Sequence, residues 1–139
     1  YFPPVKYNGK WYLDGGLAAN NPCILGVIYG KYLFPKDKIK LLSIGTGAWS
    51  PKFEKKDMSS WGILDWLSNG LIDMFMCSNS KINNFSCEVM MDKDFLRVDC
   101  DEIFDIELDD ADDKSLNRLR KYAGDIFKKN KDKLLEFFN

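Results

Sequence analysis

The chain has 139 residues, 45% of them hydrophobic and 29% charged, the balance of one ordinary globular domain. Its 20 basic and 21 acidic side chains leave a net charge of -1, which provides no electrostatic footprint for nucleic acid. Histidine is absent, so zinc sites with His ligands are excluded within the chain, and Cys23, Cys77, Cys87 and Cys100 lack the paired spacing of an all-cysteine site.

The four cysteines are expected as free, mostly buried thiols, because a chain this rich in core residues does not need a disulfide framework. No metal and no cofactor are expected. No run reaches the ~18 consecutive apolar residues of a membrane span. No signal peptide is visible, and the opening Tyr1-Phe2-Pro3-Pro4 reads as the middle of a domain. The expected location is cytoplasmic or peripheral to a membrane.

From the start of the chain, Val5-Lys6-Tyr7 and Lys10-Trp11-Tyr12-Leu13 alternate apolar and polar residues around Asn8-Gly9. Asn-Gly is the strongest two-residue hairpin turn signal, so two short strands are expected there. Asp14-Gly15-Gly16 then turns the chain. Asn21 as N-cap and Pro22 at the first helical position open a helix that runs to Leu33 and stops before Pro35. The nearly continuous apolar run Ile39 to Ile44, ending in Gly45-Thr46-Gly47, has the pattern of a strand in a parallel sheet. Strand, helix and strand in this order predict a βαβ unit with a right-handed crossover.

Residues 48–57 read as a loop with a basic cluster, Lys52, Lys55 and Lys56, expected to be solvated. Ser60 to Met76 reads as a helix that Gly62 and Gly70 weaken, and Lys81 to Met91 as a second helical piece. Phe95 to Val98 is a short strand, followed by an acidic loop. Lys114 to Phe138 is a long amphipathic helix with Leu116, Leu119, Ile126, Phe127, Leu134 and Phe138 as its core stripe.

The segment with chemical content is Trp11-Tyr12-Leu13-Asp14-Gly15-Gly16-Leu17-Ala18-Ala19-Asn20-Asn21-Pro22. It sets a carboxylate at the end of a strand, where ligands and reacting groups gather in α/β sheets. Two glycines then allow close approach of a backbone or substrate. Taken alone, Asp-Gly-Gly is more commonly a turn in which the aspartate bonds only its own backbone.

The wider context changes that weighting. Tyr1-Phe2-Pro3-Pro4, Asp14-Gly15-Gly16, Asn20-Asn21-Pro22 and Leu42-Ser43-Ile44-Gly45-Thr46-Gly47 stand in an order and spacing that resembles the patatin-like phospholipases. Trp61-Gly62-Ile63-Leu64-Asp65-Trp66, Phe95-Leu96-Arg97-Val98-Asp99 and Leu108-Asp109-Asp110-Ala111 continue the similarity over nearly the whole chain.

The resemblance implies an α/β fold, a three-layer α/β/α sandwich, of which residues 1–139 are the C-terminal portion. It implies a lipid acyl hydrolase of the phospholipase A type with a Ser–Asp dyad, and it maps the catalytic aspartate onto Asp14. The family's serine lies in a G-x-S-x-G elbow and its oxyanion hole in a glycine-rich segment, and neither occurs in this sequence. The nucleophile-bearing N-terminal portion is therefore expected as a partner in the same domain. Without it the chain is expected to be inactive, and unstable or self-associating. A phospholipid or other acyl lipid is the expected substrate, with peripheral membrane contact and no nucleic acid. A non-catalytic scaffold of the same fold and an acyltransferase are the alternatives.

Other candidates are weaker. Gly15 and Gly16 shape the Asp14 turn. Asn20 and Asn21 stand where they could touch substrate, but capping by Asn21 and a packed loop at Asn20 are the simpler reading. Gly45 and Gly47 read as a close-packed turn rather than a phosphate cradle, since G-x-G without a lysine or third glycine is a weak signal. The broad apolar surface that contains Trp61 and Trp66 would suit acyl chains beside a cleft, though apolar helix faces are ordinarily core. The acidic run Asp105, Glu107, Asp109, Asp110, Asp112 and Asp113 lacks the glycine and closing glutamate of a calcium loop, and is expected to serve the dipole of the helix that follows.

Overall fold

The computed structural model describes residues 3–47, 58–100, 106 and 109–139. Tyr1 and Phe2, the lysine cluster of Lys52, Lys55 and Lys56, and Asp105, Glu107 and Leu108 lie outside the described residues. The chain is mixed α/β, with two small separate sheets and five α-helices among the described residues.

β1 (Val5–Tyr7) and β2 (Lys10–Tyr12) form the expected antiparallel hairpin, pairing Val5 with Tyr12 and Tyr7 with Lys10. The turn works because Asn8 and Gly9 take φ of 47° and 76°, left-handed values that suit these two residues. α1 (Gly16–Ala19) is a single turn, and α2 (Cys23–Leu33) follows. The Asn21 side-chain oxygen accepts from the Cys23 N–H at 3.2 Å as an Asx turn, but regular helix begins at Cys23, so the N-cap is Pro22 rather than the expected Asn21. Pro35 keeps Phe34 out of the helical region, at φ -127° and ψ 62°, and α2 ends at Leu33.

β3 (Leu41–Ile44) begins two residues later than the apolar run and pairs in parallel with β4 (Phe95–Val98), Leu41 against Phe95 and Ile44 against Val98. This corrects the expected βαβ unit. β2 belongs to the hairpin sheet, so the strands joined by a crossover are β3 and β4, and the helical segment between them is the connection. Local pattern identified both strands correctly; which strand lies beside which is a non-local choice.

That connection contains α3 (Ile63–Ser68) and α4 (Leu71–Met91). The expected helix from Ser60 to Met76 is cut at Gly70, whose φ of 88° is left-handed, and the separate piece from Lys81 is part of the same uninterrupted helix as Leu71. Asp65 reaches back from α3 to accept the Gly62 N–H at 2.9 Å, stabilising the start of that short helix. α5 (Asp113–Phe138) is capped by Asp112, whose carboxylate accepts from the Ser115 N–H at 2.8 Å. That backbone hydrogen bond holds the Asp112 carboxyl below its ordinary pKa.

The stripe expected on α5 is partly wrong. Leu119, Phe127 and Phe138 are exposed, while Ser115 and Phe137 are buried. Leu116, Ile126 and Leu134 are half-buried, as are Tyr122 and Asn130. The inward face is rotated toward Phe137, whose carbonyl accepts from Lys40 Nζ at 2.6 Å. Sequence periodicity fixes a stripe but not its centre, because α5 has apolar residues flanking the stripe on either side.

The core forms where α2, α4 and the β3–β4 pair meet. Cys23, Val27, Cys87, Met91 and Phe95 are its buried members, with Ile24, Ile39 and Leu41 packed against them. All four cysteines are free; Cys23 and Cys87 are buried, and Cys77 and Cys100 are half-buried. Burial, with a hydrogen bond to Cys23 adding to it, pushes the Cys87 thiol up to about 12.

Many large apolar side chains are exposed among the described residues. Ile72, Phe75, Ile82, Phe85 and Val89 lie along one face of α4 at spacings of three, four and seven, and each is exposed. Among the described residues, no helix is long and apolar enough to cross a membrane.

Candidate active site

The Asp14 turn is built from local forces. β2 ends at Tyr12, Leu13 leaves the ladder, and the two glycines after Asp14 let the chain fold straight into α1. The Asp14 Oδ1 accepts the Gly16 N–H at 2.8 Å, and the Asp14 carbonyl accepts the Leu17 N–H at 3.2 Å. The carboxylate thus satisfies one of the free donors at the start of α1. Among the described residues, Oδ2 has no hydrogen-bond partner. Gly16 is packed close: a Cβ there would stand 3.2 Å from Asp14 Oδ1 and 3.5 Å from the Asn20 side-chain oxygen. An alanine at this position would press on the carboxylate.

Asp14 is exposed. It lies beyond the end of the antiparallel hairpin, not at the carboxyl end of the parallel β3–β4 pair. The sequence argument from parallel sheets therefore does not apply within the described residues. Two shallow depressions are found there, and Asp14 lines neither. The larger, about 450 Å³, is bordered by Lys38, Lys40, Lys93, Lys133, Phe95 and Phe137 at the start of β4 and the end of α5. Its lysines are already engaged in part: Lys38 pairs with Asp94 at 2.9 Å and Lys40 holds the end of α5. The smaller, about 200 Å³, lies between Asp99 and α5.

Asn20 and Asn21 separate. Asn20 is exposed, whereas Asn21 is 5% exposed and bonded on all sides. Its Nδ2 donates to Asn84 Oδ1 at 2.8 Å and to the Ser80 carbonyl at 3.3 Å, and its own carbonyl accepts from Asn83 Nδ2 at 2.9 Å. Asn83 also donates to Asn79 Oδ1 at 3.1 Å. The asparagines of α4 escaped the sequence reading. The signal was present, since adjacent asparagines in a helix interior are poor helix formers that need another reason to be there.

Trp61 and Trp66 are half-buried and pack edge to face, ring centroids 5.0 Å apart. The more exposed apolar side chains beside them are Ile63 and Leu64. Gly45-Thr46-Gly47 cradles a carboxylate of its own chain. The Gly47 N–H donates to Asp99 Oδ1 at 3.0 Å, and a Cβ at Gly45 would overlap the Asp99 carboxylate. Arg97 completes this knot at the ends of β3 and β4, bonding Asp99 at 2.6 Å and Ser43 at 2.7 Å while its buried Nε stays unpartnered. Of the acidic run, Asp110 and Asp112 both accept from the Ser115 hydroxyl, at 2.7 and 3.3 Å, in capping α5.

A carboxylate with one oxygen tied to backbone and the other open is suited to accept a proton from a hydroxyl brought beside it. Fold and site together define a mixed α/β protein that presents an exposed carboxylate on a glycine turn. No family model matches the chain. It is similar to Patatin-like protein 1 of Oryza sativa subsp. indica, 33% identical over an alignment of 111 residues that covers 62% of this chain and 27% of that protein. It is also similar to Patatin-like protein 2 of Arabidopsis thaliana, 27% identical over a gapped alignment of 157 positions that covers 88% of this chain and 37% of that protein. These similarities support a relationship to the patatin-like proteins. The chain spans between about a quarter and two fifths of the length of these relatives.

Proposed function

We propose that the full polypeptide containing this chain is a lipid acyl hydrolase of the phospholipase A type, and that residues 1–139 are the C-terminal portion of a three-layer α/β/α patatin-like domain. Asp14 is its general base. The serine and the oxyanion donors come from the N-terminal portion, which packs against this chain. In the reaction Asp14 Oδ2 takes the proton from the serine hydroxyl as its oxygen attacks the ester carbonyl. The proton then passes to the departing alcohol, and water releases the fatty acid from the acyl-enzyme. No metal or cofactor is required by this scheme.

The observation that carries the reading is the Asp14 carboxylate, fixed through Oδ1 by the Gly16 N–H at 2.8 Å with Oδ2 left open. The uncovered apolar face of α4 supports a second layer, and Ile63 and Leu64 beside the paired tryptophans Trp61 and Trp66 offer contact to an acyl-lipid surface. The test is fatty-acid release from phospholipid vesicles by the full polypeptide. Asp14→Asn is expected to lower turnover by roughly 10²–10⁴-fold, the usual worth of a positioned base. Unchanged turnover would remove Asp14 from the mechanism.

The exposure of Asp14 favours a second reading, a non-catalytic scaffold of the same fold. A wild-type polypeptide that releases no fatty acid while keeping its fold would support it. Transfer of the acyl group to an added alcohol in preference to water would instead identify an acyltransferase.

A further inference from the structure

We propose that Asn83 and Asn84 of α4 are positioning residues for the Asp14 base, a clamp that holds the turn carrying it; this rests on the reading of Asp14 given above. A continuous chain of hydrogen bonds and backbone links Asp14 to α4. The Asp14 carboxylate is bonded to Gly16, and α1 is tied to the same turn by the Ala18 and Ala19 N–H groups on the Gly15 carbonyl, at 3.0 and 2.9 Å. One residue past α1 and Asn20 comes Asn21, buried and gripped by α4. The hairpin on the other side of Asp14 is exposed throughout. α1 packs on α4, and Asn21 with its partners is the hydrogen-bonded part of that attachment.

The directions of these hydrogen bonds are fixed by backbone groups. The Asn21 carbonyl only accepts, so Asn83 must present its amide N–H₂. The Asn21 side-chain oxygen is committed to the Cys23 N–H, so its amide nitrogen faces Asn84, which must accept. Asn83 is the donor and Asn84 the acceptor of one clamp. A purely helical role would not ask for two adjacent asparagines with opposite duties.

This difference makes a matched experiment. Asn83→Asp and Asn84→Asp each add one negative charge to adjacent positions of α4 with no change in side-chain size. The first removes the donor to Asn21; the second keeps the acceptor. Both are measured in the full polypeptide on phospholipid vesicles, beside Asn84→Ala, with turnover expressed per site titrated to completion by a fluorophosphonate. Counting active sites removes any loss due to misfolded protein.

Asn83→Asp and Asn84→Ala are expected to lower kcat roughly tenfold or more with KM within twofold, since displacing a reacting group by about 1 Å costs up to 10²-fold. Asn84→Asp is expected to rescue kcat to within about threefold of wild type. Equal turnover in both aspartate variants, whether lowered or normal, overturns the clamp. Should Asn83→Asp not fold, Asn83→Ala removes the same donor without added charge and carries the same expectation. Asp14→Asn in the same assay separates the two failures: activity lost there but intact in the Asn83 variants rejects the clamp alone, and activity intact in Asp14→Asn rejects the base itself.

Discussion

The α2–α4–β3–β4 body and the β1–β2 hairpin are built from comparable shares of apolar residues but differ in what they bury. Val27 and Cys87 are fully buried, whereas Val5, Tyr7, Trp11 and Tyr12 are 51–66% exposed. The body has a helix layer over a strand pair, so each element offers the next a surface to pack on. The hairpin and the outer face of α4 have no opposing layer among the described residues. Hydrophobicity alone does not bury a side chain; a second surface must be there to meet it. Asp14 belongs to the open region, and the asparagine clamp ties that region to the closed one.

The contrast predicts unequal costs for equal truncations. In the full polypeptide Phe95→Ala is expected to cost about 3–5 kcal/mol in urea unfolding, the usual loss for a buried phenylalanine. Phe75→Ala on the outer face of α4 is the sharper probe. If the N-terminal portion covers that face, the cost is about 3 kcal/mol or more in the full polypeptide, against within ~0.5 kcal/mol for a side chain left in solvent. A small effect would mean that the face meets solvent and the proposed second layer is wrong.

A smaller effect is expected at the knot that closes the body. Gly45→Ala drives a methyl group into the Asp99 carboxylate and must displace it from Gly47 and Arg97. The expected loss is about 1–3 kcal/mol, read as a lower urea midpoint at constant slope. Unchanged stability would show that this junction yields freely.

A test without mutation of the site is alkaline pH. The folded state keeps the Cys87 thiol protonated, raising it from the ordinary 9.0 to about 12. The folded state then binds more protons than the unfolded chain above pH 9. The stabilisation is complete below that value and is lost as pH climbs toward 12. Stability of the wild type is expected to fall more steeply over that window than that of Cys87→Ala. Parallel pH curves would remove Cys87 from the linkage.

Much of the local structure was legible from residues. Asn8-Gly9 announced the hairpin, Asn21-Pro22 the start of α2, Pro35 its end, and Asp112 the cap of α5. Each of these rests on the backbone preference of one or two residues, which the sequence carries directly. The reading failed where the answer lay across the chain. β3 was matched with the wrong predecessor, because its true neighbour β4 lies some fifty residues downstream. The α5 stripe was centred off Phe137, because flanking Phe127 and Phe138 are as apolar as the residues that turned inward.

The candidate site divides in the same way. The sequence by itself determined the Asp14-Gly15-Gly16 turn, since a short carboxylate followed by two glycines can close on the Gly16 N–H with no help from elsewhere. It also carried the patatin-like relationship, which depends on ordered motifs rather than on coordinates. Only the tertiary structure decided that Asn21 is a buried anchor, that Asn83 gives and Asn84 accepts, and that α4 is apolar on a face left exposed among the described residues. Hydrogen-bond partners some sixty residues apart and the choice between two apolar helix faces are set by packing energy summed over several elements, and no local stretch of sequence contains that sum.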